Sequence, residues 1–415
     1  MNTTSTSDSF FQSVLPHELV GIIASHLLSP HDLANFARAS RTCHIEATPH
    51  LYSSISFAPA TSGSRATWIK TIVLWARTMK SNGTLAHKVE KLVLHVPEAD
   101  FPAMFRQTLD ALQACVNLRD LELYRASHRI PPFWLLPEAP RFKLTSFATD
   151  ISAYLHLGRF LESQPSIRKL LLEAFDMRLS LKPGTLPLLT SYNGFTMLIS
   201  GARPPGTVWE NLTHAELRDA YRWEKGLLDS MPHLRVLDIT VAAAGGDLLS
   251  RIAEKCAELR VLTLRDGNGL LHDRHELGDG RLSGVTLLPE FAKSFSNFRH
   301  LSSLTIDPVY KSRNHAPAST EHKHLIRWHR HCPTLCHFIS STGRQWIYLP
   351  STHSSADLSQ WVVLHEPASN ENIFATDPGL FGMRRPSEIR ERSDGGSMDE
   401  LIAIIERLNR QRVSG

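Results

Sequence analysis

The segment Cys115-Val-Asn-Leu118-Arg-Asp-Leu121-Glu-Leu123-Tyr124 decides how this chain folds. Its pattern, Leu118-x-x-Leu121-x-Leu123, returns as Ile167-x-x-Leu170-x-Leu172, Leu234-x-x-Leu237-x-Ile239, Leu259-x-x-Leu262-x-Leu264 and Leu301-x-x-Leu304-x-Ile306. Weaker copies begin at Val89, Leu144, Leu189, Leu212 and Leu335. Successive copies start 29, 26, 23, 22, 23, 22, 25, 42 and 34 residues apart. In a short strand alternate residues share a face, so Leu121 and Leu123 point one way while Glu122 and Tyr124 point the other. One such strand cannot bury its apolar face alone, whereas stacked neighbours bury it together.

Most of these steps fall in the ~20–29-residue window of a leucine-rich repeat. Before several strands the chain reads as a helix end entering a turn, as in Leu161-Glu-Ser-Gln-Pro165 and Leu228-Asp-Ser-Met-Pro232, where proline stops the helix. The expected unit is therefore helix, tight turn, strand, loop.

A second signature stands ahead of the repeats. Pro16 suits a first helical position, Glu18 favours the positive end of the helix dipole, and Leu19, Ile22, Ile23 and Leu27 fall on one face. Ser29-Pro30 restarts a helix whose stripe is Leu33, Phe36 and Ala37, and a third helix is expected to run to about Thr48, before Pro49. The order Leu15-Pro16-x-Glu18-Leu19-x-x-Ile22, then Leu27-Leu28, Asp32-Leu33, Ser40-Arg41 and Pro49-x-Leu51-Tyr52 resembles an F-box over residues 13–57. The tryptophan that family often has near Cys43-His44 is missing here. An F-box ahead of leucine-rich repeats resembles the receptor subunits of SCF-type ubiquitin ligases, especially the divergent fungal ones. That resemblance implies docking on the Skp adaptor, and through it a cullin scaffold, by Leu15, Pro16, Leu19, Ile22, Leu28 and Leu33. A plain helical cap and a DNA-reading helix-turn-helix remain open for the same stretch, although the second helix carries only Arg38 and Arg41.

The expected architecture is thus α/β: a disordered N-terminus at 1–12, a three-helix F-box at 13–57, a leucine-rich-repeat solenoid (horseshoe) at 58–350, and a less regular C-terminal cap and flexible tail at 351–415. Residues 66–80 read as an amphipathic helix coupling the two folded parts, ended by Asn82-Gly83. Trp346-Ile-Tyr-Leu and Trp361-Val-Val-Leu read as strands that close the last repeat, and Met398–Leu408 as a short amphipathic helix. The Gly- and Asp-rich insertion at 266–280 reads as a surface loop.

With 42% hydrophobic and 21% charged residues, the 415-residue chain has an ordinary globular composition. No apolar run approaches the roughly 18 residues of a membrane span, and the polar first ten residues do not read as a signal peptide, so a cytosolic or nuclear location is expected. Net charge is +4, with Lys and Arg spread along the chain among 41 acidic residues, which argues against a nucleic-acid partner. The five cysteines read as small core residues, three of them just before a strand.

No zinc-protease, phosphate-loop or nucleophile-elbow motif is present, so no catalytic activity and no cofactor are expected. Cys332-x3-Cys336 with His331 and His337 lacks the regular spacing of a zinc module, so no metal is assigned. Partner capture falls instead to the outward strand positions: Glu122, Tyr124, Glu173, Glu216, Arg218, Asp238, Thr240, Thr263, Arg265, Thr305 and Asp307. Two readings follow, a substrate receptor of an SCF-type ligase or a ligase-independent leucine-rich-repeat scaffold.

Overall fold

In the computed structural model of the chain, the residues described are 15–27, 29–57, 65–96, 102–125, 136–150, 154–173, 181–182, 184–195, 209–218, 228–241, 247–266, 294–308, 318–340, 343–349 and 360–365. They form an α/β protein with a 13-stranded open sheet and nine α-helices among the described residues. The expected disordered N-terminus, the body of the 266–280 insertion and the 398–408 helix lie outside them.

The N-terminal unit packs α1 (His17–His26), α2 (Pro30–Ala39) and α3 (Arg41–Ser53) around Ala24, Leu33, Ala37 and Ala47. Ser29 caps α2, its hydroxyl accepting from Asp32 N–H at 3.4 Å, with Pro30 just inside the helix. Ser40 caps α3 the same way through Cys43 N–H at 3.1 Å. Two expectations need correction. Pro16 is the N-cap of α1, with extended ψ, and not its first helical residue. Helix α3 does not stop at Thr48 but runs through Pro49 to Ser53. An interior proline costs about 3 kcal/mol. Here the turn beyond it is held by packing, Leu51 against the unit's own core and Tyr52 against the main one.

Strand β1 (Ser54–Phe57) follows α3 without a linker and pairs in parallel with β2 (Lys91–Val96). The sheet therefore begins inside the stretch assigned to the helical module. Helix α4 (Arg65–Ser81) covers it with Ile72, Trp75, Ala76 and Met79, and Asn82 caps the single turn α5 (Gly83–Ala86).

From there each marked segment leads into one strand: β3 (Asp120–Arg125), β4 (Ser146–Thr149), β5 (Lys169–Leu172), β6 (Ser191–Phe195), β7 (His214–Arg218), β8 (Val236–Val241), β9 (Val261–Asp266), β10 (Ser303–Pro308) and β11 (His337–Ile339). Spatial order equals chain order and β1 to β11 are all parallel, an arrangement compatible with a solenoid. Helices α6 (Pro102–Ala114), α7 (Tyr154–Glu162), α8 (Asp247–Lys255) and α9 (Ala318–His331) precede β3, β5, β9 and β11. The unit is not uniform, however. A 3-10 turn at Leu228–Ser230 precedes β8, and the described residues before β4 and β6 are turns. Before β6 the chain carries Pro183-Gly184 and Pro187, which cannot continue a helix.

One apolar core runs from Phe57 to Trp361, built from the inward strand residues and the inner faces of the helices. At its far end β12 (Gln345–Leu349) and β13 (Gln360–His365) turn antiparallel and close the stack. Buried Glu321 of α9 ties this end together, accepting from Arg344 Nη1 at 2.8 Å and Trp346 Nε1 at 3.0 Å. The weaker copy at Leu189 forms β6. There Leu189-x-x-Tyr192-x-Gly194 replaces two inward leucines by one buried tyrosine lying over a glycine, and a Cβ at Gly194 would sit 2.5 Å from Tyr192 Oη.

Candidate functional site

The parallel register lines up one outward residue per strand: Val93, Glu122, Ala148, Leu171, Asn193, Glu216, Asp238, Thr263 and Thr305 form a continuous row. Two residues further along each strand run His95 and Tyr124 at one end, then Thr240, Arg265 and Asp307 at the other. The expected capture residues share this face. They gather into three groups.

In the first, Lys91 Nζ lies 3.0 Å from Glu122 Oε1, and Tyr124 Oη donates to Glu122 Oε2 at 3.1 Å. The His95 ring lies 5.2 Å from that of Tyr124. Burial, then the neighbouring Glu122 carboxylate, pushes the Tyr124 phenol well above its usual range. In the second, Arg218 bridges two strands, with Nη1 3.2 Å from Glu173 Oε1 and Nη2 3.4 Å from Glu216 Oε1. Asn193 Nδ2 donates to the other oxygen of Glu216, while its own Oδ1 is buried with no hydrogen-bond partner among the described residues. Burial raises the Glu173 carboxyl, Arg218 opposes that, and Asp150 and Glu216 add to it. In the third, Arg265 donates to Asp238 across β8 and β9. Thr240 and Thr305 are half-buried and Thr263 is buried, while the side chain of Asp307 lies outside those described.

Lys91, His95 and Asn193 are members that sequence reading missed. Lys91 and His95 occupy outward positions of Lys91-Leu-Val-Leu-His95-Val, so strict alternation would have found them. Asn193 sits in a weak copy whose second inward residue is glycine, which hid its register.

The helical unit presents a different surface. Its core takes Val20 and Ala24 from α1, while Leu19, Ile22 and Ile23 are 43%, 52% and 38% exposed on the same helix. Of the residues the F-box resemblance points to, Pro16, Leu19 and Ile22 are exposed and Leu15 is half-buried. Leu33 is buried beside Ala24 and Ala47, so it is placed to hold the unit together and not to touch a partner. Leu28 lies outside the described residues.

Among the described residues no three His, Cys, Asp or Glu side chains stand close enough to hold a metal ion. His329 Nδ1 lies 2.9 Å from the Leu335 carbonyl and its ring stacks on Tyr348, while Cys332 packs against the Phe298 and Leu301 carbonyls. Cys115 and Cys256 are buried free thiols pushed up to about 12, so they are unreactive. No described helix is long and apolar enough to cross a membrane. The described residues thus present a polar strand face on an open α/β sheet and exposed apolar side chains on α1. No protein-family model and no curated protein matches the chain.

Proposed function

We propose that the chain is an interaction protein, the substrate-recognition subunit of an SCF-type ubiquitin ligase, docking on the Skp adaptor through residues 13–57 and holding a partner protein on the repeats. One observation carries the reading. Three large apolar side chains of α1 stand exposed on a three-helix unit, while the inner face of that helix is filled by the smaller Val20 and Ala24. That is the distribution expected of a surface completed by another protein. The register-aligned strand face supports the second half, since it offers spaced polar groups along one surface. The mechanism is proximity: a captured substrate presents its lysines at high effective concentration to a conjugating enzyme bound elsewhere on the assembly.

The test replaces Leu19 and Ile22 together by Glu, because both are exposed while Leu33 is not. The expected result is loss of adaptor co-purification with unchanged circular dichroism. Failure of the wild-type chain to retain the adaptor would leave the ligase-independent scaffold as the better reading.

A further inference from the structure

Lys and Arg are scattered in the sequence, but the fold stacks them. Just before each strand one residue occupies an equivalent position, and their backbones form a ladder. Arg119 N–H donates to Glu90 O at 2.8 Å, Thr145 N–H to Arg119 O at 2.7 Å, and Arg168 N–H to Thr145 O at 2.8 Å. Adjacent strands lie ~4.8 Å apart, which places the Arg119 and Arg168 backbones ~10 Å from each other. Lys143 lies two residues before Thr145, ahead of the strand between them, and Lys169 follows Arg168 in register with Ser146. All four cationic side chains are exposed, and none makes an ion pair among the described residues. Two carboxylates flank the rim: Glu90, exposed one strand away, and Asp120, which accepts from Thr145 Oγ1 at 3.2 Å.

We infer that this rim, at the N-terminal ends of β3 to β5, binds an acidic polypeptide segment of the captured partner. The inference rests on reading the repeats as a capture surface, and it does not involve the adaptor contact. An extended chain advances ~3.3 Å per residue, so about three residues span Arg119 to Arg168 and bring successive carboxylates within reach. A nucleic acid fits less well. The cationic run is only three strands long, Glu90 follows it on one side, and no large aromatic side chain is exposed among the described residues to stack a base.

The experiment measures anisotropy of a labelled oligoglutamate of about ten residues, long enough to cross the rim, against oligoglutamine and oligothymidylate. The full-length chain is compared with a variant carrying Arg119→Ala, Lys143→Ala, Arg168→Ala and Lys169→Ala, and with Arg235→Ala further along the same edge. The expected result is oligoglutamate binding that survives ~0.15 M salt, where exposed charges are already screened beyond ~8 Å. The fourfold variant should lose about tenfold or more in affinity with an unchanged thermal midpoint, and Arg235→Ala should lose little. Equal binding by the fourfold variant, binding seen only at low salt, or tighter binding of oligothymidylate would each overturn the inference. Adaptor retention, measured on the same variant, reads the ligase proposal separately.

Discussion

Replacing Arg218 by Met removes one charge while keeping most of the stem that packs along the sheet. The side chain is 26% exposed and lies between Glu173, 14% exposed, and Glu216, 30% exposed. An exposed pair broken in this way costs roughly 0.2–1 kcal/mol and a fully buried one roughly 3–5 kcal/mol. Partial exposure of all three groups places the loss between these limits, at about 2 kcal/mol near neutral pH. The sign of its pH dependence follows from Glu173. Its carboxyl titrates above the ordinary value because of burial, with Asp150 and Glu216 adding to the effect and Arg218 opposing it. Between the unfolded and folded values the native state holds the extra proton, so stability falls as pH rises through that window. Without Arg218 the window extends upward, and the variant suffers most at neutral pH and least below the unfolded carboxyl value. Urea unfolding followed by circular dichroism at about pH 7.5 and about pH 5 tests this, with an unchanged m-value required for the comparison. A variant that loses less than about 0.5 kcal/mol at neutral pH, or loses the same at both, would show that Arg218 is not the neutralising group.

At Gly194 an added Cβ would meet Tyr192 Oη at 2.5 Å and the Leu172 carbonyl at 2.6 Å, so Gly194→Ala should cost about 1–3 kcal/mol by overpacking. Tyr192→Leu in the same chain should recover part of that, and a thermal midpoint unmoved by Gly194→Ala would contradict the packing described. His337 is buried, with Nδ1 2.8 Å from Ser303 Oγ, and burial lowers its titration from 6.5 to about 4. Its contribution is fully present above about pH 6.5 and is lost as pH falls towards 4, by up to about 3 kcal/mol. His337→Gln should flatten the stability profile in that window, and a profile as steep as wild type would exclude His337 as its source.

The strands were legible because inward leucines alternate with period 2 inside a longer repeat, two constraints that coincide at Leu121 and Leu123 but not at random. The two end strands were legible as strands from Trp346-Ile-Tyr-Leu and Trp361-Val-Val-Leu, but not their antiparallel direction. Strand β1 was not, because Ser54-Ile-Ser-Phe57 is short and follows a helix expected to end earlier. Pro49 misled for a physical reason: propensity describes an isolated helix, whereas Leu51 and Tyr52 anchor this one by tertiary contacts. The outward residues could be named individually, but not their grouping. That Arg218 reaches Glu173 across β6 depends on side-chain reach and on register between copies 22 and 23 residues apart. The cationic rim escaped notice likewise, because Arg119, Lys143 and Arg168 become neighbours only when unequal repeats are laid side by side.

That unequal stacking also bears on the helical unit. Its main apolar cluster is three alanines and one leucine, with Leu27, Phe36 and Leu51 at the margin and Val20 and Cys43 buried beside it. About 40 residues with so little apolar surface lie at the lower limit for independent folding. Three features compensate. His17 of α1 pairs with Glu46 of α3 at 3.0 Å, and the same carboxylate fills the space beside Gly21. Helix α3 passes into β1 with no intervening residue, and Glu90 N–H donates to Ser53 O at 2.9 Å across the junction. Tyr52 and Ile55 then pack on the main core. The apolar residues of α1 can therefore remain exposed, because stability is drawn from the sheet and not from burying Leu19 and Ile22. Under the adaptor reading, the same continuity fixes the docking face to the first strand without a flexible linker. A partner held on the strands or their rim would then be presented from a defined position, the condition that proximity-driven transfer requires.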